Sequence, residues 1–256
     1  LANGDYEVSN YWIDVFLELA PNDAKSIRYR ADHHPFNYVL SESDNSCDII
    51  HLDMNTSEDD FAATYYKDKI VFTSTRERVK GIKRRNNMNG KAFYSLYVAE
   101  KNEARLYSPK ELEASLNHKM HEGPASFNGD ASIMAYSRNG AVEKFDKGGT
   151  KLEVVFASKN EKGKWTVEEE FSFNDRSYTV THPCLSEDGN TMYFVSNIPG
   201  GIGGSDIYRV HRKVNGSWGV PVNVGDRVNT EGDELFPFYH KGLSSLFFSS
   251  SGHVGF

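Results

Sequence analysis

The chain has 256 residues, which is enough for one large all-β domain or two smaller domains. Apolar residues make up 38% of it and recur along its length, so a disordered protein is excluded. The formal net charge of -7 argues against nucleic acid as a partner, because phosphate binding needs a basic surface. No stretch is long and apolar enough for a membrane-spanning helix, so we predict no membrane-spanning segment.

Residues 1–40 are predicted to be helical. Apolar side chains recur there with helical spacing at Val8, Tyr11, Trp12, Val15, Phe16 and Leu19. Pro21 ends this helix, and Asn22 or Asp23 can cap a second helix that runs to Ala31. We expect the two helices to form a hairpin with their apolar faces together. "GDYEVSNYWIDVFLELAPND" resembles the second half of a tetratricopeptide repeat. The alternative is an ordinary amphipathic helix that docks on the following domain.

Residues 41–59 are predicted to be a linker that leads into the first strand, and from residue 60 the pattern changes to short β-strands. One strand occurs in four versions: "DKIVFTSTR" (68–76), "ASIMAYSRN" (131–139), "NTMYFVSNI" (190–198) and "LSSLFFSSS" (243–251). Alignment on their serines makes Phe72, Ala135, Phe194 and Phe248 equivalent. A turn precedes each version, at Lys67-Asp68, Asn128-Gly129, Asp188-Gly189 and Lys241-Gly242. Such dipeptides can supply the positive φ of a tight hairpin.

Each repeat contains further strands around this one. Another strand precedes each turn, and it contains Pro124, Pro183 or Pro237 in the last three repeats. A third strand follows in the first three repeats, and a Gly-x-Trp leads into a fourth strand at Trp165 and at Trp218. Four strands per repeat of this length are typical of propeller blades. We therefore predict a mainly β fold, with a β-propeller of four-stranded blades over residues 60–256. Three blades are full and a fourth has begun, so the propeller is incomplete, and a short α-helical, tetratricopeptide-like segment precedes it.

The segment "SNIPGGIGGSDIYRV" (196–210) raises the question of a phosphate site, because four glycines precede an aspartate. A phosphate-binding loop needs backbone N–H groups backed by a helix N-terminus. Here a strand follows, and Gly201-x-Gly203 lacks the third glycine of the dinucleotide motif. We therefore predict a turn in which Asp206 accepts hydrogen bonds from backbone amides as the strand begins.

Residues 180–256 resemble a known family through "HPCLSEDGNTMYFVSNIPGGIGGSDIYRV" and "GVPVNVGDRVNTEGDELFPFYHKGLSSLFFSSSGHVGF". They are similar to the TolB-like, WD40-like propeller repeats of large outer-membrane-associated proteins. In that family the repeats lie between a tetratricopeptide domain and an OmpA-like, peptidoglycan-binding domain.

The resemblance implies part of a longer protein, periplasmic and outer-membrane associated, in a type IX secretion or gliding machinery. It also implies a non-enzymatic scaffold that binds protein partners in a complex. Peptidoglycan would be bound only through a domain absent from this chain.

Residues able to do chemistry form no recognisable motif. There is no GxSxG or HExxH, and nine histidines are scattered. His121 and His182 are expected to form structural hydrogen bonds between blades. Glu122 and Glu234 recur at one inter-blade position and are each preceded by an asparagine, at Asn117 and Asn229, which suggests a structural role. We predict no catalytic residue, cofactor or metal. A propeller enzyme acting on glycans and a small-ligand or metal-binding propeller remain alternatives.

The stretch "RERVKGIKRRNNMNGK" (76–91) has the most unusual composition. Its basic residues are Arg76, Arg78, Lys80, Lys83, Arg84, Arg85 and Lys91. Such a cluster favours an acidic protein surface or an anionic glycan, so these seven residues are the predicted partner-binding site, with an ordinary solvated loop as the alternative. The two cysteines, Cys47 and Cys184, lack metal-ligand spacing and are predicted to be buried thiols.

Overall fold

The computed structural model describes residues 6–31, 50–76, 85, 90–103, 105–112, 116, 121–140 and 151–253, with the backbone alone for Glu168. Two helices come first in these ranges, and antiparallel sheets account for the rest of the regular structure. The fold is therefore mainly β, as predicted. The predicted domain boundaries at residues 40 and 59 stay predictions.

The N-terminal segment contains helix α1 (Tyr6–Leu19) and helix α2 (Ala24–Ala31). A carboxylate oxygen of Asp23 accepts the N–H of Ser26 at 2.8 Å, so Asp23 caps α2 as predicted. Hydrogen bonds from the side chain and the backbone N–H of Ser26 lower the pKa of the exposed Asp23 carboxyl. The likeness to a tetratricopeptide repeat stays a prediction.

The predicted closure of the two apolar helix faces is wrong. The stripe of α1 points to solvent, and its Trp12 and Leu19 side chains are 61% and 82% exposed. Ile13 and Leu17, which lie on the other side of α1, are only partly exposed. Because α1 carries apolar residues on both sides, α2 covers one side and the predicted stripe is left open.

Within the described ranges, fourteen strands form four antiparallel sheets in chain order. The first sheet contains β1 (Asp60–Tyr66), β2 (Lys69–Ser74), β3 (Ser95–Asn102) and β4 (Arg105–Glu111). The second contains β5 (Glu122–Phe127), β6 (Ile133–Asn139), β7 (Leu152–Lys159) and β8 (Trp165–Glu170). The third contains β9 (Val180–Leu185), β10 (Thr191–Ser196), β11 (Asp206–His211) and β12 (Val222–Asn223). The fourth contains β13 (Glu234–His240) and β14 (Ser245–Ser250). The prediction of four-stranded repeats is confirmed.

Neighbouring sheets contact each other through their first strands. Strand β5 packs between β1 and β9, and β13 packs against β9. One apolar core lies between the first two sheets around Met134 and Tyr136, and another lies between the second and third around Phe171 and Phe194. This is how blades pack around a propeller axis. The described residues do not form a closed ring.

Every first strand carries a bulge at the same place. The residue before each proline has positive φ, which is 104° at Gly123, 48° at His182 and 52° at Phe236. Ala62, at the corresponding place in β1, has φ 53°. Pairing with the second strand shifts at each of these points. The four sheets therefore share one backbone device for bending the innermost strand, although the residue that adopts it differs.

The strand register corrects one equivalence. The residue after the bulge proline pairs with Tyr136 in the second sheet and with Tyr193 in the third. The residue that follows this partner is Ser137 in the second sheet and Phe194 in the third. Ser137 is therefore the equivalent of Phe194, and the predicted equivalence of Ala135 with Phe194 is wrong. Strands β5 and β6 each have one more residue between the bulge and the turn than β9 and β10 have, although the two turns are equally long, so the aligned serine is displaced by two positions.

Two of the four predicted left-handed turn residues are confirmed, since φ is 57° at Lys67 and 68° at Gly189. In the hairpins with the dipeptides at Asn128 and Lys241, the left-handed residue comes later. The residues there are Ala131 and Ser244, with φ of 55° and 49°. Ala131 and Gly189 occupy the same place in two turns of equal length, so the place in the turn decides which residue adopts the left-handed conformation, and the dipeptide does not.

Candidate functional site

The glycine-rich loop is closed by its own aspartate. Asp206 is buried, and its carboxylate accepts the N–H of Ile202 at 2.6 Å and the N–H of Gly203 at 3.1 Å. The side-chain amide of Asn223 donates to the same carboxylate at 2.8 Å. The backbone donors that a phosphate would need are thus bound to a carboxylate of the chain, which confirms the predicted turn and the role of Asp206.

The glycines allow this loop to approach the connection between the third and fourth sheets. A Cβ on Gly203 would collide with the carbonyl oxygens of Thr230 and Gly232. Gly204 donates its N–H to the Gly232 carbonyl at 2.8 Å, and a Cβ there would press on Asp233. Close packing against this connection therefore explains Gly203 and Gly204.

We expect Gly203→Ala to lower the free energy of unfolding by about 2 kcal/mol, because the new methyl group overpacks against backbone atoms. The control is Gly163→Ala, since Gly163 has φ 71° and nothing within 4 Å of the added Cβ. That variant is expected to lose about 1 kcal/mol from backbone strain alone. Urea unfolding of both variants measures the difference, and equal losses would contradict the packing explanation.

Two asparagines extend the strand ladders where neighbouring sheets meet. Asn229 is buried, accepts the N–H of Ile207 at 2.8 Å and donates to its carbonyl at 2.9 Å. Asn174 makes the same pair of bonds with Val154, at 2.9 and 2.7 Å. The sequence pattern pairs Asn229 with Asn117, which lies outside the described residues, and Asn174 was not predicted. Asn174 could have been found from its place shortly before β9. It lies six residues before the start of that strand, whereas Asn229 lies five residues before the start of β13.

Glu234 is fully buried at the start of β13. One carboxylate oxygen accepts the N–H of Thr230 at 2.8 Å. The other accepts the hydroxyl groups of Thr230 and Ser250, each at 2.6 Å. Glu122 is also buried at the start of β5. The bonds of Glu234 fit the structural role predicted for this pair.

Two histidines bond to backbone across sheet boundaries, as predicted. The Nδ1 atom of His121 accepts the N–H of Tyr94 at 3.1 Å, and that of His182 accepts the N–H of Phe236 at 3.3 Å. The His182 ring also stacks on the Phe236 ring at 4.0 Å. Burial lowers the pKa of His182 to about 4 and also lowers the pKa of His121. Both rings therefore act as neutral acceptors.

Aromatic rings continue from these histidines across the first strands. The Phe61 ring lies 5.2 Å from Tyr94 and 6.1 Å from Phe236, and Tyr94 lies 4.7 Å from His121. This row links the first sheet to the fourth. The row was not predicted, because its members are far apart in the chain and are brought together by the arrangement of the strands.

The first residue of the predicted partner-binding stretch belongs to the sheet. The guanidinium group of Arg76 lies 2.7 Å from a carboxylate oxygen of Asp60. It also lies over the rings of Phe72 and Tyr97, 4.8 and 5.4 Å from their centroids. The Arg76 side chain is only 10% exposed, so it holds the end of β2 in place.

The remaining basic residues are placed in part. Lys91 forms an ion pair with Asp59 at 2.8 Å, and Arg85 donates to the carbonyl of Gly90 at 2.9 Å. The others lie outside the described residues; they are Arg78, Lys80, Lys83 and Arg84. Partner binding by this stretch stays a prediction, and Arg76 and Lys91 are the members already held by carboxylates.

Cys184 is a free, buried thiol, as predicted, and its sulfur accepts the N–H of Tyr239 at 3.2 Å. Burial raises the pKa of Cys184 to about 11. Cys47 lies outside the described residues. Over the described ranges, no three His, Cys, Asp or Glu residues are grouped to hold a metal ion. No described helix has the length and apolar character needed to cross a membrane.

Neither a protein-family model nor a curated protein matches the chain. Among solved structures, a putative TolB from Agrobacterium tumefaciens has a TM-score of 0.41 and 15% identity, over 74% of this chain and 52% of that one. TolB from Acinetobacter baumannii has a TM-score of 0.37 and 17% identity, over 61% of this chain and 32% of that one. A glycoside hydrolase has a TM-score of 0.41 and 11% identity, over 75% of this chain and 65% of that one. The chain thus spans less than two thirds of each of these proteins, and its structural neighbours include TolB-like proteins at low identity.

Proposed function

We propose that this chain is a non-enzymatic scaffold that presents the loops of its sheets to protein partners. The observation that carries the proposal is the use of its buried polar groups. Asp206, Glu234 and His182 all form hydrogen bonds that close a loop or join strands and sheets. Groups committed in this way stabilise a rigid support, and the exposed loops are left to vary.

The loops between the second and third strands differ among the sheets in a way that suits partner binding. The loop after β2 is strongly basic, the loop after β6 is mixed in charge, and the loop after β10 is rich in glycine. Equivalent positions on one framework therefore offer different chemistry. Within this proposal the basic loop docks on an acidic surface of a protein partner.

The cellular setting belongs to the same proposal. We place the protein in the periplasm, associated with the outer membrane and with the type IX secretion or gliding machinery. The resemblance of residues 180–256 to outer-membrane-associated propeller repeats supports this assignment. Peptidoglycan binding is proposed only for the longer protein, through a domain absent from this chain.

Neutralising the centre of the basic loop tests the proposal. The variant carries Arg78→Gln, Lys80→Gln, Lys83→Gln and Arg84→Gln. It keeps Arg76 and Lys91, because their ion pairs with Asp60 and Asp59 belong to the sheet. We expect the unaltered full-length protein to recover outer-membrane secretion or motility components from cross-linked envelopes, and the variant to recover about tenfold less, since surface charge governs encounter.

The matched control neutralises two exposed cations elsewhere, Lys162→Gln and Lys164→Gln in the turn between β7 and β8. It should recover the same components as the unaltered protein. Recovery of the protein alone would contradict the stable-complex proposal, and full recovery by the loop variant would contradict the assigned contact. Hydrolysis of glycan fragments by the purified chain would contradict the non-enzymatic part.

A further inference from the structure

Helix α1 has a row of large apolar side chains open to solvent. These side chains are between 47% and 82% exposed, and they belong to Val8, Tyr11, Trp12, Phe16 and Leu19. Tyr11 and Trp12 meet edge to face, with their ring centroids 5.4 Å apart. We call this row the α1 stripe. A contiguous apolar patch of this kind on a folded protein marks an interaction site.

The opposite side of α1 is already in use. Arg30 of α2 forms an ion pair with Asp14 at 2.8 Å, which fixes the side of α1 that faces α2. Ile13 and Leu17 follow next to Asp14 around the helix, away from the exposed row, and are partly buried. Helix α2 in turn contacts the segment that connects the third and fourth sheets, through an ion pair between Arg28 and Glu231 at 3.2 Å. The stripe therefore faces away from the packed body, on a helix that is apolar on two sides.

Carboxylates run along one edge of the stripe. Glu7, Asp14 and Glu18 are spaced by seven and four residues, which places them within about 40° of one another around the helix. Helix α1 contains no Lys or Arg. In the described part of the chain Asp14 is paired with Arg30, whereas Glu7 and Glu18 form no ion pair. The edge therefore carries a carboxylate without a described ion pair near each end of the helix, while Arg30 neutralises its middle.

We propose that the α1 stripe docks a basic amphipathic helix of a protein partner. The apolar side of the partner helix covers the stripe, and Lys or Arg residues along one edge of it lie opposite Glu7 and Glu18. Helices recognise each other in this way through apolar anchors at i, i+3, i+4 and i+7 with opposite charges beside them. The proposal rests on the proposed protein-binding function but uses a surface remote in sequence from the basic loop, so each can fail alone.

The charge pattern favours this occupant over two others. A second copy of the chain would bring the same acidic edge and no cation on its α1, so pairing of two stripes gains no charge complementarity. An anionic membrane surface attracts amphipathic helices with basic edges, and α1 has the opposite sign. Self-association and vesicle binding are therefore outcomes that would overturn the proposal.

Tryptophan fluorescence reports on the stripe directly. Trp165 and Trp218 are 3% and 5% exposed, so the exposed Trp12 dominates quenching by acrylamide. Two synthetic amphipathic peptides of equal length share one apolar face; one has lysines along its edge and the other has glutamates. We expect the lysine peptide to shift Trp12 emission to the blue and reduce its quenching. The glutamate peptide should bind at least tenfold more weakly.

Variants of α1 provide the controls. Glu7→Lys with Glu18→Lys should reverse the preference between the two peptides, and Phe16→Asp should weaken binding of both. Val220→Asp changes an exposed apolar residue in the connection between β11 and β12 and should leave binding unchanged. Circular dichroism checks that each variant keeps its fold. Concentration-dependent dimerisation lost in Phe16→Asp would assign the stripe to a second copy.

Equal affinity for the two peptides, or binding to neither, would overturn the proposal. Binding to vesicles of phosphatidylcholine and phosphatidylglycerol without peptide preference would also overturn it, in favour of a membrane surface. These results leave the envelope experiment with the basic loop unaffected. A chain that recovers envelope components but ignores both peptides would retain the proposed function and lose the α1 contact.

Discussion

Replacing Glu234 with alanine is expected to lower the free energy of unfolding by about 4 kcal/mol. The side chain is fully buried and accepts three hydrogen bonds, two from Thr230 and one from Ser250. Alanine leaves these donors without an acceptor. Each buried donor without a partner costs about 1–3 kcal/mol of stability, and because the donors belong to one cluster their costs do not simply add. The lost volume adds a cavity at the start of β13.

Two further variants separate the causes. Glu234→Gln keeps the shape and one oxygen acceptor, so we expect a loss of about 1–2 kcal/mol. Asp226→Ala removes an exposed carboxylate on the same sheet connection and should change stability by less than about 0.5 kcal/mol. Urea unfolding followed by circular dichroism measures all three. A loss for Glu234→Ala no larger than for Asp226→Ala would show that the buried cluster does not hold the fourth sheet.

This prediction also bears on the enzymatic alternative. A propeller glycosidase would need carboxylates that face a substrate cleft. Glu234 instead has both oxygens occupied by donors of the same chain, at 2.6–2.8 Å. Selection for stability is therefore sufficient to explain the acid at the start of β13.

The repeated strands could be predicted because their signals are local. Alternating apolar residues and turn dipeptides lie within ten residues of one another, and they located β2, β6 and β10 to within two residues at each end. The register could not be predicted in the same way. It depends on the distance between the bulge and the turn, and β5 and β6 are each one residue longer there than β9 and β10, which placed Ser137 where Ala135 was expected.

The candidate sites were predicted less completely, because they depend on contacts between distant segments. Asp206 was identified because the amides it binds are three or four residues away. Arg76 was grouped with a basic loop, although Asp60 and two rings hold it in the first sheet. Periodicity located the apolar stripe of α1, but periodicity does not say which of two apolar helix sides meets a neighbour.

Acid is expected to destabilise the protein through His182. Burial lowers its pKa to about 4 in the folded chain, whereas an unfolded histidine titrates near about 6.5. The unfolded chain therefore binds this proton first as the pH falls. The contribution is fully present above pH about 6.5 and is lost progressively towards pH about 4, with a total on the order of 3 kcal/mol.

The variant His182→Gln removes the titrating group and keeps a side-chain acceptor for the Phe236 N–H. We expect its stability to be lower than that of the unaltered chain at pH 7, because the ring stack on Phe236 is lost, and to depend less on pH between 7 and 4.5. His211→Gln, a change at an exposed histidine on the third sheet, serves as the control. Urea midpoints across this pH range provide the measurement.

The outcome distinguishes two causes of acid sensitivity in an acidic chain. Carboxylates such as Asp23, whose pKa is lowered by hydrogen bonds, lose their contribution below pH about 4, near their ordinary range. Loss at higher pH must come from histidine. His182 in β9 accepts its bond from β13, so its protonation acts on the contact between the third and fourth sheets. An unchanged pH slope in His182→Gln would show that this contact does not set the acid limit of the fold.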